Sequence, residues 1–418
     1  MNNPKVIVIG GGPGGILAAG TAAQHGAQVI LLEKGPKLGR KLRISGKGRC
    51  NITNTAEIQA FVDAFAPNGK FLYSAFSQYF RDHLLKFLNH IGIQTKVERG
   101  GRVFPASDSA IEVADALENW LNSCGVNIKF NTRVKSIVLE KGKAVGVELY
   151  GTKLDADAVI LATGGASYPK TGSSGDGYAM AKELGHTIIP PKPALSALVT
   201  GEHWVTELKG LSLKNVEASL VSVVGSAKPK VIAKEFGEML FTHFGISGPI
   251  ILTLSRKVPS ILEQGKAYVS IDLKPALTPE QLHARFIRDF TQTQHFKNYL
   301  PELLPKSMAE PFLKITNISP DKPLNKITAP ERTQIVETLK GLRLSIRGMR
   351  PIDEAIVTAG GVSIKEVDPK TMMSKLVPAL FFAGEVLDID AETGGYNLQA
   401  AFSTGYVAGK SAANFGEK

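Results

Sequence analysis

The sequence predicts an α/β fold: a parallel sheet wound with helices, interrupted by a β-rich insertion that carries a small helical part. Three observations predict it. A glycine-rich turn joins an apolar strand to an Ala-rich helix at the N-terminus. Apolar strands that end in small residues and glycine recur near residues 161 and 382. Between about residues 191 and 345 the text changes to alternating apolar and polar stretches, the signature of antiparallel strands.

The elements follow in order. Residues 5–9, KVIVI, form an almost continuous apolar run, as expected of a parallel strand buried on both faces. GGGPGG follows at once, with Gly10, Gly12 and Gly15 in GxGxxG spacing and Pro13 and Gly14 between them. ILAAGTAAQHG is helix-forming until Gly26, and QVILL is a second strand leading to Glu33 and Lys34. Gly10 permits a tight turn, Gly12 lets backbone approach a pyrophosphate, and Gly15 lets helix and strand pack closely. The helix N-terminus offers free N–H groups to the anion. Glu33, about twenty residues on, suits ribose hydroxyls and repels a 2′-phosphate, which disfavours NADP here. Strand, glycines, helix, strand and acid arrive in the order of a Rossmann dinucleotide unit; a glycine-rich connection with nothing bound is the plainer alternative.

Residues 39–54, GRKLRISGKGRCNITN, come next, with glycines and five cationic side chains in one run. An NAD dehydrogenase would continue into further strand and helix repeats. A long extended cofactor instead needs backbone contacts past its first phosphate, which Gly39, Gly46 and Gly48 allow. Two later segments favour FAD. LDADAVILATGG (154–165) is an apolar strand ending in Ala162, Thr163 and Gly164, which resembles the ATG turn of many FAD-binding proteins of the glutathione-reductase-like class, and Val134 in the stretch before it is a further cofactor-binding candidate. LFFAGEVLDIDAETGGYNLQAAFSTGYVAG (380–409) is a short strand, then Gly384 and Glu385, then Gly394 and Gly395, then a helix opening with Tyr396, Asn397 and Leu398. A helix N-terminus there would stabilise negative charge on a reduced flavin.

Composition bounds the function. A chain of 418 residues with 43% hydrophobic content can bury a large core and make two or three domains. No apolar run reaches bilayer length, and the apolar start is too short and glycine-rich for a signal peptide, so a soluble, cytoplasmic protein is expected, with no membrane partner. The two cysteines, Cys50 and Cys124, form no CxxC pair and suggest neither disulfide nor zinc, and no metal site is expected. The charge of +11 suits an anionic partner, yet the basic residues are dispersed, with no zinc-finger or RNP-type signature. A small-molecule substrate is therefore expected rather than nucleic acid. Nothing in the sequence fixes the oligomeric state.

Taken together, VIVIGGGPGG, SGKGRCNITN, GGRVFPAS, LATGGASYPKTGSSGDGYAMAKELGH, GEMLFTHFGISGP, AIVTAGGV and FAGEVLDIDAETGGYNLQAAFSTG resemble the BaiN or aminoacetone-oxidase-like family of NAD(P)/FAD-dependent oxidoreductases. The resemblance spans nearly the whole chain. It implies a glutathione-reductase-like FAD-binding domain assembled from residues 1–190 and 346–418. The β-rich insert then covers 191–277 and 342–345, with a helical subdomain at 278–341. Within that subdomain Thr278 reads as an N-cap with Pro279 at the first helical position. The resemblance also implies that Glu385 binds the ribityl hydroxyls.

The resulting expectation is an oxidoreductase that moves hydride between FAD and a small organic substrate, either an amine or alcohol-like donor or an enone acceptor. NAD(P)H is a candidate transient donor, although no second GxGxxG is present to bind it. The alternatives are a flavoprotein that binds or modifies RNA and a non-catalytic FAD or NAD sensor. Arg40 or Lys41 is expected near phosphate, and the stretch Lys47, Gly48, Arg49, Cys50, Asn51 near the flavin ring, where positive charge favours hydride uptake. Candidate catalytic residues are Lys47, Cys50 as nucleophile or flavin anchor, and His243 as proton donor. Cys50 also reads as an inert buried thiol and His243 as packed between phenylalanines. Tyr168 and Tyr396 read as proton donors or packing groups, and Arg347 and Arg350 as a carboxylate clamp or an ion-paired link.

Overall fold

The computed structural model describes residues 3–416. The chain divides into two units, one formed by residues up to Ala194 and from Ile352 onward, the other by Leu195–Pro351.

The first unit is built on a five-stranded sheet in the order Leu380–Phe382, Ala158–Leu161, Lys5–Ile9, Gln28–Leu32, Asn127–Lys129. Every neighbouring pair is parallel. The three central strands are nearly all apolar because both faces are covered. Ile9 pairs with Leu161 on one side and Leu32 on the other, so the chain leaves three adjacent strands at one edge of the sheet. Those three exits carry the glycine turn, Glu33 and the Ala162–Thr163–Gly164 turn.

Helix Pro13–Gln24 packs on the 18-residue helix Tyr396–Ala413 through small residues. A Cβ on Gly405 would lie 2.3 Å from the Gly14 carbonyl oxygen, and one on Gly409 would lie 2.3 Å from that of Ala18. Residues four apart share one helix face, so this spacing brings the two backbones into direct contact. The two termini of the chain are thereby joined over the sheet.

The second unit is a closed six-stranded barrel in the order Leu198–Thr200, Gly245–Ser247, Lys230–Phe241, Ser212–Val223, Lys266–Asp272, Leu342–Met349. Period-two alternation builds it: Ala267, Val269 and Ile271 point inward beside Leu342, Leu344 and Ile346. Helices Pro279–Asp289, Phe296–Leu303, Ala309–Thr316 and Ala329–Lys340 share one apolar core with the barrel through Phe286, Phe296, Tyr299 and Phe312. Thr278 caps the first of them, accepting from the Gln281 N–H while Gln281 reaches back to the Thr278 N–H.

The junctions lie at 194/195 and 351/352, a few residues beyond the sequence estimates of 190/191 and 345/346. Ile188–Ala194, despite its prolines, pairs with Val357–Val362 in the first unit, with a bulge at Ile189/Lys192 that absorbs the missing donors. Leu342–Met349 closes the barrel and so stays in the second unit.

Candidate functional site

The glycines of the first turn have separate physical reasons. Gly10 adopts φ +106°, and its Cβ would meet the Ala162 carbonyl oxygen at 2.6 Å. Gly15 must be glycine because its Cβ would lie 1.9 Å from the Gly10 carbonyl oxygen. Gly12 is different. Its φ of −81° suits any residue and its Cβ would meet nothing within 4 Å. No contact inside the chain demands glycine there, and the open space lies at a helix N-terminus, where an anion is favoured. Pro13 opens that helix, and Gly14 faces the Ala401 carbonyl.

Glu33 is 9% exposed and accepts from the Gly11 N–H at 2.8 Å through Oε2 and from the Gly35 N–H at 2.6 Å through Oε1. Each carboxylate oxygen has two acceptor positions, so one on each remains for ribose hydroxyls. Lys34 pairs with Asp176 at 2.9 Å. Burial pushes the Asp176 carboxyl up, but hydrogen bonds from Lys34, Ser174 and Arg133 outweigh it and hold it at about 2.

In the basic loop the charges are mostly spoken for. Arg40 donates to the Lys170 carbonyl. Lys41 bridges to Glu385 at 2.8 Å and to Ser167 at 2.7 Å, which places its charge on the carboxylate expected at the ribityl chain rather than free for phosphate. Gly46, Lys47 and Gly48 are all left-handed, at φ +56°, +59° and +85°. A lysine in the middle of such a run is strained. Its side chain is exposed.

Two sequence expectations change here. Arg49 binds Glu98 and Asp108 and lies 4.2 Å above the Phe104 ring, so it fixes the loop instead of presenting free charge. Cys50 is fully buried, and burial pushes its thiol up to about 12. Burial that disfavours the thiolate supports the inert-thiol reading over the nucleophile or anchor role.

The polar end of the same loop has a purpose the sequence did not disclose. With its amide oriented to satisfy its partners, Asn51 donates to the Thr53 and Val103 carbonyls and accepts from the Gly395 N–H at 3.0 Å. Thr53 donates to Gln399 at 2.7 Å, and Asn54 donates to the Gly394 carbonyl at 3.0 Å. Asn51, Thr53 and Asn54 thus stitch the loop to the Gly394–Gly395 turn. Gly395 itself adopts φ +97°, with the Thr53 carbonyl 2.3 Å from its would-be Cβ.

The Ala162–Thr163–Gly164 turn leaves the sheet beside Gly10, and Gly164 is left-handed at φ +73°. The Thr163 hydroxyl is buried with no hydrogen-bond partner within the chain. Val134 is buried in strand Val134–Glu140. Glu385, after left-handed Gly384, accepts from the Thr358 N–H at 2.9 Å as well as from Lys41. Thr358 also accepts from the Ala166 and Ser167 N–H groups. Neither Thr358 nor Ser167 was singled out from sequence; only their approach in space reveals them.

Helix Tyr396–Ala413 begins at this cluster, and its first-turn N–H groups, on Tyr396, Asn397 and Leu398, have no intrahelical acceptor. The Tyr396 ring meets Phe61 edge-on at 4.7 Å, and burial raises its hydroxyl above the usual range. Asn397 exchanges hydrogen bonds with both backbone groups of Ala391. Tyr168 is half-buried and left-handed.

His243 lies in the second unit, exposed in the turn between Lys230–Phe241 and Gly245–Ser247, with Phe244 edge-on at 4.8 Å. It is not sandwiched between phenylalanines. Arg350 stacks on the same Phe244 at 4.6 Å, and Arg347 is exposed. Among the described residues no three His, Cys, Asp or Glu side chains cluster as metal ligands do, and no helix is long and apolar enough to cross a membrane. An open cleft of about 740 Å³ beside His90 and Trp120 contains none of the residues predicted for the site.

Residues 4–411 match the family described as HI0933-like protein Rossmann domain. The chain is 34% identical over 417 residues to a 3-dehydro-bile acid delta(4,6)-reductase of Clostridium scindens, covering 98% of this chain and 99% of that protein. It is 31% identical over 413 residues to a ribosomal RNA dihydrouridine synthase of Escherichia coli, covering 97% of each. Among solved structures, the 3-ketosteroid-delta4-(5alpha)-dehydrogenase of Rhodococcus jostii RHA1, in complex with 4-androstene-3,17-dione, superposes with a TM-score of 0.53. Its identity is 15%, over 98% of this chain and 97% of that one, which is a likeness of fold.

Proposed function

Because the chain belongs to the HI0933-like family of FAD-dependent Rossmann oxidoreductases, we propose that it saturates a carbon–carbon double bond conjugated to a carbonyl. The observation that carries this reading is a chemistry shared by two full-length relatives. A delta(4,6) alkene beside a 3-oxo group and the uracil 5,6-alkene beside its 4-carbonyl are both enone-type acceptors. Each takes hydride at the carbon remote from the carbonyl and a proton at the carbon next to it.

The residues present fit FAD. The unfilled space at Gly12 and the helix N-terminus behind it suit the pyrophosphate, and Glu33 the adenosine ribose. Glu385, oriented by Lys41 and Thr358, faces the ribityl chain in this assignment. The unpaired N–H groups at Tyr396–Leu398 lie where the positive helix end favours negative charge on the flavin's pyrimidine edge. Bound FAD supplies hydride transfer, with NAD(P)H as the transient source of electrons. Lys47, exposed in the unit that carries these residues, is the candidate to deliver the proton.

The test is anaerobic stopped-flow. FAD-loaded protein is mixed with NADH or NADPH, and the bleached flavin is then challenged with a 3-oxo-4-ene steroid or with uridine-containing RNA. Bleaching followed by re-oxidation by either acceptor is the expected result. Bleaching by a small amine but not by NAD(P)H would overturn the direction of transfer. Bound flavin with no turnover in either direction would mark a sensor.

One observation favours the RNA substrate as a second reading. Residues 195–351 contain 21 Lys and Arg against 14 Asp and Glu, a net +7 within a chain of +11. The excess is thus concentrated in the inserted unit, where association with a polyanion would draw on it.

A further inference from the structure

We propose that the outer face of the inserted barrel is a docking surface for single-stranded RNA, an inference that rests on the RNA reading of the substrate. The face is defined by strand register. Lys234, Ser219, Ser270 and Arg343 lie directly opposite one another across four adjacent strands, forming one outward row. In the neighbouring row Tyr268 lies opposite Ser345, and Val221 on its other side is buried. Lys234, Arg343, Ser345 and Arg347 are exposed, while the alternating residues of the same strands fill the barrel.

Its chemistry is specific. The Arg343 guanidinium lies 3.6 Å from the centre of the Tyr268 ring. That stack holds the guanidinium plane in place and leaves its other face for a nucleobase, the way unpaired RNA bases are commonly received. Ser270 and Ser345 flank it with hydroxyls that can bond phosphate or a 2′-hydroxyl. Of the acids around these positions, Glu217 is paired with Lys234 at 3.0 Å and Asp272 with Lys340, while Glu202 accepts from the Ser345 N–H at 2.8 Å. Among the described residues, the outward cations without a carboxylate partner here are Arg343 and Arg347, beside the serine hydroxyls and the Tyr268 ring. Duplex DNA would not use a planar stacking platform on a convex sheet, whereas a single strand with splayed bases would.

The experiment uses the FAD-loaded full chain and a fluorescein-labelled oligouridylate, with affinity followed from 50 to 300 mM salt. Two variants probe the face: Arg343→Ala with Arg347→Ala, and Tyr268→Ala. A third, Lys306→Ala with Lys326→Ala, removes the same charge from the exposed helical part. The proposal expects the Arg343/Arg347 pair to flatten the log K against log salt slope by about 1.4, at about 0.7 for each phosphate no longer neutralised. It expects Tyr268→Ala to weaken binding about tenfold at 150 mM salt. The helical pair changes neither beyond a small general effect. Equal losses from the face and the helical pair would overturn the proposal, as would wild-type protein that does not bind the oligonucleotide at 150 mM salt. Melting of the inserted unit checks that every variant is folded, and flavin absorbance that it is loaded. Turnover with the steroid enone, measured in parallel, reports on the reductase reading alone. A protein that reduces the enone but fails to bind RNA sinks only this inference.

Discussion

At the scale of single residues, Gly12 and Gly15 look alike in sequence and differ in kind. A Cβ at Gly15 collides with the Gly10 carbonyl, and one at Gly12 meets nothing. Gly15→Ala should therefore destabilise the cofactor-free protein, by roughly 1–3 kcal/mol as overpacking does. Gly12→Ala should leave its melting temperature unchanged and weaken FAD at least tenfold, because the methyl enters the space assigned to the pyrophosphate. Thermal melts without cofactor, paired with flavin-quenching titrations, check both; a Gly12→Ala protein that binds FAD normally would remove the cradle from the site. Cys50 makes a second case. Burial raises its thiol to about 12, so the thiolate is disfavoured at pH 8. Cys50 should resist iodoacetamide until the protein is unfolded, and Cys50→Ser should keep its flavin; modification of Cys50 in the native state within minutes would restore the nucleophile reading. Sequence left this residue a choice between two roles; burial, which favours the inert one, is set by residues far away in the chain.

At the scale of elements, what could be read depended on whether the cause was local. The strands Lys5–Ile9 and Gln28–Leu32 and the helix between them follow from apolar runs, glycine spacing and helix propensity within thirty residues. Thr278 is equally local, since hydroxyl, proline and Gln281 sit within four positions. Thr278→Ala should cost about 1 kcal/mol, seen as a shift of about 2–4 °C in the melting of the inserted unit with flavin content unchanged. A shift confined to the flavin-binding unit would contradict the separation of the two cores. By contrast, Asn51, Thr53 and Asn54 act on partners some 340 residues away. Nothing in NITN shows that its amides hold a distant glycine turn; sequence placed the segment near the flavin, and its stitching to Gly394 and Gly395 appears only in three dimensions. The barrel was visible as alternating stretches, but its closure by Leu342–Met349 was not, because closure depends on register between strands far apart.

At the scale of the molecule, the flavin-binding unit is made from two pieces of chain separated by 157 residues of insert, so its cohesion depends on contacts between the pieces. Lys41 with Glu385 and Asn68 with Asp388 are such contacts, and a third encloses the His186 side chain. Ser374 accepts from the Leu376 and Val377 N–H groups, which leaves its own proton to donate to His186 Nε2 at 2.9 Å. Nδ1 then carries the ring proton and donates to Glu366 at 3.2 Å. A second ring proton would point at an oxygen already saturated with donors. Burial accordingly lowers the His186 pKa, against the opposing pull of Glu366, while Phe382 meets the ring edge-on and brings no charge. The sign follows from linkage: the folded pKa lies below the unfolded value of about 6.5, so the unfolded chain binds the proton more readily. The contribution of His186 is complete above about pH 6.5 and is lost as pH falls below it, at no more than about 1.4 kcal/mol per pH unit. Between pH 7.5 and 5.5, above the range where Glu366 titrates, urea unfolding of the wild type should become easier, and His186→Gln should be less stable at pH 7.5 but show a shallower fall. Parallel pH profiles for the two proteins would mean that this histidine does not sense pH and that the two pieces are held by their ion pairs and helix packing alone.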